Sequence, residues 1–112
     1  MIQRWRSGDE VLEALSALAN PNRMRIIAAL AEGRNYVSQL AREVGLSRPL
    51  LYMHLKKLEE AGLVSGSLEL SEDGKAMKFF EVEEFEITLT PGLIAAAAAT
   101  LGDGTGDREL EG

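Results

Sequence analysis

The chain has 112 residues, the size of one small domain, and 46% of them are hydrophobic, which allows a modest core. It contains no cysteine, which excludes disulfides, thiolate metal ligands and thiol redox chemistry. The net charge is −6, but residues 21–80 hold nine basic and seven acidic side chains, a net of +2, and the remainder holds three basic and eleven acidic, a net of −8. Because affinity for phosphates depends on where charge lies, a weakly basic face on an acidic body remains compatible with nucleic acid.

Two helices are predicted in the first third of the chain. Asp9 is expected to cap the first helix, which runs to about Leu18. Asn20 followed by Pro21 predicts the start of a second helix, which ends at Gly33. The apolar stripe of the first helix consists of Val11, Leu12, Leu15 and Leu18.

A pair of short helices follows and is the most informative part of the chain. The first covers about residues 37–44 and ends at Gly45, and the second begins at Ser47 and ends at Gly62. In the second, Leu51, Leu55 and Leu58 share one face, so the basic residues of this helix point elsewhere. Two short helices joined by a tight glycine turn are typical of a helix-turn-helix DNA reader.

After Gly62 the apolar period changes from helical to two, which predicts a β-hairpin around a turn at residues 71–74. Lys78, Phe80 and Val82 are expected to share one face of its second strand. The alternation slips at Glu83, so a break and a further extended segment are predicted before residue 90.

A last, alanine-rich helix is predicted from Pro91 to about Leu101. Residues 102–112 combine glycine with acids and are expected to form a flexible tail, which leaves residues 1–101 as one domain. The fold class is α+β, mainly helical with one hairpin, in the order α-α-α-α-β-β-α. No apolar run approaches the ~20 residues of a membrane span, and no signal peptide pattern is visible, so a cytoplasmic location is expected.

The amino-acid sequence of the central region adds to this interpretation. Residues 15–64 read LSALANPNRMRIIAALAEGRNYVSQLAREVGLSRPLLYMHLKKLEEAGLV. This resembles the ArsR-type (arsenic-repressor-like) group of winged helix-turn-helix regulators, and the resemblance covers roughly residues 12–82. It implies a homodimeric repressor whose terminal helices form the dimer contact and which an inducer releases from operator DNA.

The chain departs from that group at its metal-ligand positions and in the helix that begins at Ser47 (the reading helix). Residues 36–40 read Tyr-Val-Ser-Gln-Leu, without the cysteines of metal-sensing members, and the last helix has no histidine. We therefore expect no metal site and no cofactor, and the effector is left open between a small organic ligand, a partner protein and none. The single histidine, His54, is expected to be packed or to face a phosphate.

The outward residues of the reading helix have distinct chemistry. Arg48 can bond guanine or, equally, a phosphate, and Tyr52 can donate to an acceptor or a phosphate. Met53 and Pro49 offer apolar contact, for instance to thymine methyl groups, whereas Leu50 is expected to pack in the core beside Leu51. The predicted DNA-binding residues are Ser38, Gln39, Ser47, Arg48, Pro49, Tyr52, Met53, Lys56, Lys57, Lys75 and Lys78.

Small residues in the last helix permit close approach of another helix, which predicts a two-fold interface, although this helix can also cap its own subunit's core. The predicted interface residues are Val11, Leu12, Leu15, Leu93, Ile94, Ala97 and Leu101.

No catalytic motif is present, so a non-enzymatic, homodimeric repressor of a pseudo-palindromic double-stranded operator is predicted. The alternative is a winged-helix protein-interaction module without direct DNA readout, which the apolar Pro49, Leu50 and Met53 favour.

Overall fold

A computed structural model describes residues 7–102. The elements follow one another as α1 (Gly8–Leu18), α2 (Pro21–Ala31), β1 (Asn35–Tyr36), α3 (Val37–Val44), α4 (Arg48–Glu60), β2 (Val64–Leu70), β3 (Ala76–Val82) and α5 (Pro91–Ala98). This confirms the predicted fold class and adds β1, which the sequence analysis did not predict. Of the predicted tail, Gly102 is described and residues 103–112 lie outside the described residues.

The helices begin where a side chain accepts a hydrogen bond from a backbone amide of the first turn. Asn20 caps α2 as the sequence predicts, and Thr90 caps α5 in the same way; each side chain accepts a hydrogen bond from a backbone amide three residues later. The expectation for Asp9 is wrong. Ser7 caps α1 instead, because Ser7 and Glu10 form a reciprocal capping box in which each side chain accepts the other's backbone amide. The Asp9 carboxylate accepts the Gly102 amide at 2.9 Å.

The strands form an antiparallel sheet in which β3 lies between β1 and β2. The predicted hairpin is confirmed over its whole length, and Gly66 pairs with Phe80 across it. A Cβ atom at Gly66 would come within 2.7 Å of the Phe80 ring, so glycine leaves the space that this aromatic ring occupies. β3 ends at Val82, which confirms the break predicted at Glu83, and residues 83–90 follow without a regular strand, with Phe85 and Ile87 packed against the core.

The core lies between the helices and the inner side of the sheet. Its largest fully buried side chains are Ile26, Leu30, Leu40, Leu51, Leu55, Leu58 and Leu63. Three of these belong to α4, as their helical spacing predicts, and α4 packs against α1, α2, α3 and β2. Because one side of α4 is held by four elements, its other side is presented to solvent in a fixed orientation.

Candidate nucleic-acid interface

The outward side of α4 is exposed along the whole helix. Ser47 caps the helix by accepting the Leu50 amide at 3.4 Å. The side chains predicted to face DNA from this helix are all exposed: Arg48, Pro49, Tyr52, Met53, Lys56 and Lys57. The prediction for Leu50 is wrong, because its side chain is 47% exposed rather than packed beside Leu51. Leu50 lies three residues before Met53 and shares the exposed side of α4 with it, whereas Leu51 shares the buried side with Leu55 and Leu58.

A groove of about 350 Å³ separates α4 from the hairpin and brings together residues distant in sequence. Arg48 and Tyr52 line it from α4, Ser38 from α3 and Lys78 from β3. Two cationic side chains, a tyrosine phenol and a serine hydroxyl thus line one groove. This combination suits the anionic phosphate backbone of a nucleic acid. The groove is completed by Tyr36, Val37, Leu68, Ala76 and Met77, none of which the sequence analysis selected.

The start of α3 lies at this groove. Tyr36 occupies the capping position but its side chain makes no capping hydrogen bond. The first amides of a helix lack partners within the helix, and the helix dipole makes this end attractive to anions. Ser38 and Gln39 are half-buried there, and the Gln39 amide donates to Glu43 at 3.0 Å, one turn further along. Of the two predicted residues, Ser38 therefore lines the groove, whereas Gln39 is engaged within its own helix.

The hairpin, or wing, combines basic and acidic residues. Lys78 is half-buried with its Nζ atom 5.5 Å from the centre of the Phe80 ring, whereas Lys75 is exposed at the turn. A hydrogen bond from the Ser71 hydroxyl stabilises the Asp73 carboxylate at the wing tip and lowers its pKa. The tip therefore carries negative charge beside Lys75, and the cation nearer the body, Lys78, is the better placed toward α4.

An aromatic and ionic cluster holds the wing against β1. The Arg34 guanidinium lies 4.2 Å from the centre of the Phe79 ring and pairs with Glu69 on β2. The Tyr36 ring meets the Phe79 ring edge to face at 5.8 Å. These contacts could not be predicted from the sequence, because β1 spans only two residues and shows no periodicity. The cluster thus links β1 and the residue before it to both strands of the wing, beside the groove.

A second missed contact lies beneath α4. His54 is buried and its Nδ1 atom is 3.1 Å from Nη1 of Arg23, which confirms the packed role expected for this histidine. Arg23 also donates from Nε to the Ala17 carbonyl at 2.6 Å. Arg23, on α2, is half-buried and joins α1 to α4 through these two contacts. Burial, followed by the nearby Arg23 charge, lowers the pKa of His54.

The predicted dimer residues lie on α1, on α5 and, in the case of Leu101, just beyond the end of α5. An apolar hollow of about 120 Å³ between these helices is lined by Leu12, Leu15, Ile94, Ala97 and Leu101 among others. Val11 is buried in the core, Leu15, Leu93 and Ala97 are half-buried, and Leu12, Ile94 and Leu101 are exposed. No residue of α5, which ends at Ala98 rather than near Leu101, is fully buried. The helix thus covers part of its own subunit and leaves an apolar outer side.

Two properties of the described part of the chain bear on function. Between residues 7 and 102, no three His, Asp or Glu side chains are grouped so that they could bind a metal ion. The helices in the same range are all too short or too polar to cross a membrane.

Comparison with known proteins gives matches over most of this fold. The model of a family described as "Bacterial regulatory protein, arsR family" matches residues 20–65. An uncharacterized HTH-type transcriptional regulator from Methanocaldococcus jannaschii is 36% identical over 85 residues, which cover 76% of this chain and 88% of that protein.

Two further matches are more limited. The nodulation protein NolR from Rhizobium meliloti is 47% identical over 51 residues, which cover 46% of this chain and 42% of NolR, less than half its length. A homodimeric winged helix-turn-helix DNA-binding domain from Mycobacterium bovis, solved by NMR, has a TM-score of 0.60 and 23% identity, with 92% of this chain and 83% of that chain covered. At that identity the likeness shows the shared fold.

Proposed function

Because the chain belongs to the ArsR family of winged helix-turn-helix transcriptional regulators, we propose that it is a homodimeric repressor that binds a pseudo-palindromic operator through α4. The observation that carries this proposal is the groove in which Arg48, Tyr52, Ser38 and Lys78 converge beside the exposed side of α4. The role is non-enzymatic, and it is exercised in the cytoplasm, where the DNA lies.

The first half of α4 enters the major groove in this proposal. Arg48 meets guanine or the adjacent phosphate, and Tyr52 donates to a base acceptor or a phosphate. Lys56 and Lys57, about one turn further on, contact the backbone. The amide end of α3, with Ser38, receives a phosphate, and Lys78 reaches the strand on the wing side. Glu59 and Glu60 make the last turn of α4 unsuitable for close approach to DNA.

The dimer forms through α1 and α5. The exposed Leu12, Ile94 and Leu101 form an apolar surface that a two-fold axis can bury against itself. A dimer presents two α4 helices, which requires half-sites about 10 base pairs, or a multiple of that, apart. The homodimeric M. bovis domain of the same fold is consistent with this assembly.

Binding measured over a series of salt concentrations tests the proposal. A duplex is first selected from a random double-stranded library, and binding is then followed by fluorescence anisotropy. We expect Lys56→Ala to weaken all duplexes alike and to lower the slope of log K against log salt by about one unit per subunit. Arg25→Ala is the matched control, since Arg25 is an exposed cation on α2 that bonds Asn22.

Two further variants separate specific from backbone contacts. We expect Arg48→Ala and Tyr52→Phe to change which sequences are preferred. Equal salt slopes for the Lys56 and Arg25 variants would show that α4 does not face the phosphates. Absence of duplex binding even at low ionic strength would remove the proposed function altogether.

A further inference from the structure

Three apolar side chains occupy the outward side of α4, where a DNA reader presents its contacts. Pro49 is exposed, Leu50 is 47% exposed and Met53 is 53% exposed. Met53 follows Pro49 by four residues and Leu50 by three, so the three side chains are neighbours on the helix surface. They lie away from the side that carries Leu51, Leu55 and Leu58 into the core.

These side chains cannot read the hydrogen-bonding pattern of a base pair. Leucine and proline carry no side-chain donor or acceptor, and the methionine sulfur is only a weak acceptor. In the major groove, the apolar group that a base edge presents is the C5-methyl group of thymine. An apolar cluster placed among polar groups is typical of a binding surface, so its complement on a duplex is a run of thymine methyl groups.

The charges around the cluster favour a duplex over an apolar protein surface. Arg48 precedes it, Lys56 and Lys57 follow it within about a turn, and Lys78 lies across the groove from Tyr52. The acids of α4, Glu59 and Glu60, come only after the lysines. An apolar centre framed by cations matches base methyl groups framed by phosphates.

We propose that Leu50 and Met53, with Pro49, are specificity-determining residues that read thymine methyl groups in each operator half-site. This rests on the proposed function, because it names how the same helix selects its sequence. It predicts that the preferred half-site contains thymines at the positions facing the cluster, on either strand.

Uracil in place of thymine tests this directly, because uracil lacks the methyl group and keeps the same hydrogen-bonding edge. In the selected duplex, each thymine of a half-site is replaced singly by deoxyuridine. We expect one or two positions at which the wild-type protein binds about fourfold more weakly, the effect of one buried methyl-sized group. At those positions Leu50→Ala or Met53→Ala should remove the difference between thymine and uracil, since the methyl group has lost its partner.

A matched variant controls for the loss of an exposed methionine. Met24 is 61% exposed on α2, and Met24→Ala should keep both full affinity and the full sensitivity to uracil. Circular dichroism verifies that each variant is folded, which the exposure of these positions makes the expected result.

The outcomes separate this inference from the proposed function. Salt-dependent duplex binding that ignores every uracil substitution overturns the inference and leaves the proposed function intact. Uracil sensitivity that persists in both the Leu50 and the Met53 variants also overturns it, because other residues then read the methyl groups. If the duplex is not bound at all, both fail, and the cluster is then a surface for a protein partner.

Discussion

The contact between His54 and Arg23 makes a quantitative prediction about stability. A guanidinium can only donate, so Nδ1 of His54 accepts the hydrogen bond from Arg23, which fixes the ring as neutral with its proton on Nε2. In His54→Leu the acceptor is lost and a half-buried charged donor is left without it. Hydrogen bonds to charged groups contribute about 1.5–3 kcal/mol, and the partial exposure of Arg23 reduces this, so we expect a loss of about 1–2 kcal/mol at neutral pH.

A second variant preserves the acceptor. In His54→Asn, Oδ1 occupies about the position of Nδ1 and can accept from Arg23. The smaller side chain leaves some space in the core, so this variant is expected to lose stability through packing but to keep the link between α1 and α4. A thermodynamic cycle with Arg23→Gln distinguishes the two effects. We expect Arg23→Gln to cost about 1 kcal/mol more in free energy of unfolding when residue 54 is His or Asn than when it is Leu.

The lowered pKa of His54 gives the same contact a signature in pH. The native state favours the neutral ring, so below the ordinary value of 6.5 the unfolded chain binds more protons than the folded chain. The free energy of unfolding therefore falls as the pH is lowered through 6.5, with a slope of at most about 1.4 kcal/mol per pH unit, and levels off below the native pKa. Above that window His54 contributes no pH dependence.

Urea denaturation followed by circular dichroism, between about pH 5 and pH 8, provides the measurement. Protein concentration is held constant, because a dimer's stability depends on it. The difference between wild type and His54→Asn isolates the histidine, since carboxylates titrate equally in both. Parallel curves for the two proteins across this range would refute the reasoning, as would a His54→Leu variant as stable as wild type at pH 8.

Two further changes test the helix packing and the dimer. A Cβ atom at Gly8 would lie 1.9 Å from the Ala97 carbonyl oxygen, so Gly8→Ala should cost about 1–3 kcal/mol in thermal unfolding. The exposed Gly92 has no such neighbour, and Gly92→Ala should cause no loss. Ile94→Asp should convert the dimer to monomer in sedimentation, whereas Leu70→Asp, at a more exposed leucine on the wing, should leave it unchanged. An Ile94 variant that remains dimeric would contradict the interface.

Local signals in the sequence predict most of the helical framework. Asn20, Ser47 and Thr90 cap their helices because a short oxygen-bearing side chain can satisfy an amide that the helix leaves unpaired. The mistake at Asp9 is instructive, since the Ser7 and Glu10 spacing of a capping box was present in the sequence. Two candidate caps competed, and the reciprocal pair of hydrogen bonds decided between them.

Features that depend on tertiary contact could not be predicted in the same way. The strand β1 has two residues, too few for any period, and exists because β3 offers an edge for it. Arg34 has no neighbour in sequence that indicates its position over Phe79, and Arg23 likewise has none that indicates His54. Contacts between residues so far apart in the sequence can be identified only in the three-dimensional structure.

The candidate interface was predictable in part. The spacing of leucines in α4 indicated which side faces outward, and the resemblance to a known family supplied the role of that side. What the sequence did not indicate is that Lys78, rather than Lys75, shares a groove with Arg48 and Tyr52. That arrangement depends on how the wing packs against β1, where Phe79 contacts Tyr36 and Arg34.

The distribution of charge and apolar surface together bears on how such a protein achieves specificity. Cations that contact phosphates strengthen binding to every sequence, whereas contacts to base edges strengthen binding to the operator alone. Here residues 21–80 carry a net charge of only +2 and the rest of the chain carries −8. This distribution limits the electrostatic affinity that is the same for every DNA sequence. In the role proposed for it, the cluster of Pro49, Leu50 and Met53 adds only to binding of the operator. A chain of this composition therefore reaches a given ratio of specific to nonspecific affinity with fewer cations, and its operator binding should depend less steeply on salt than that of a reader with a strongly basic α4.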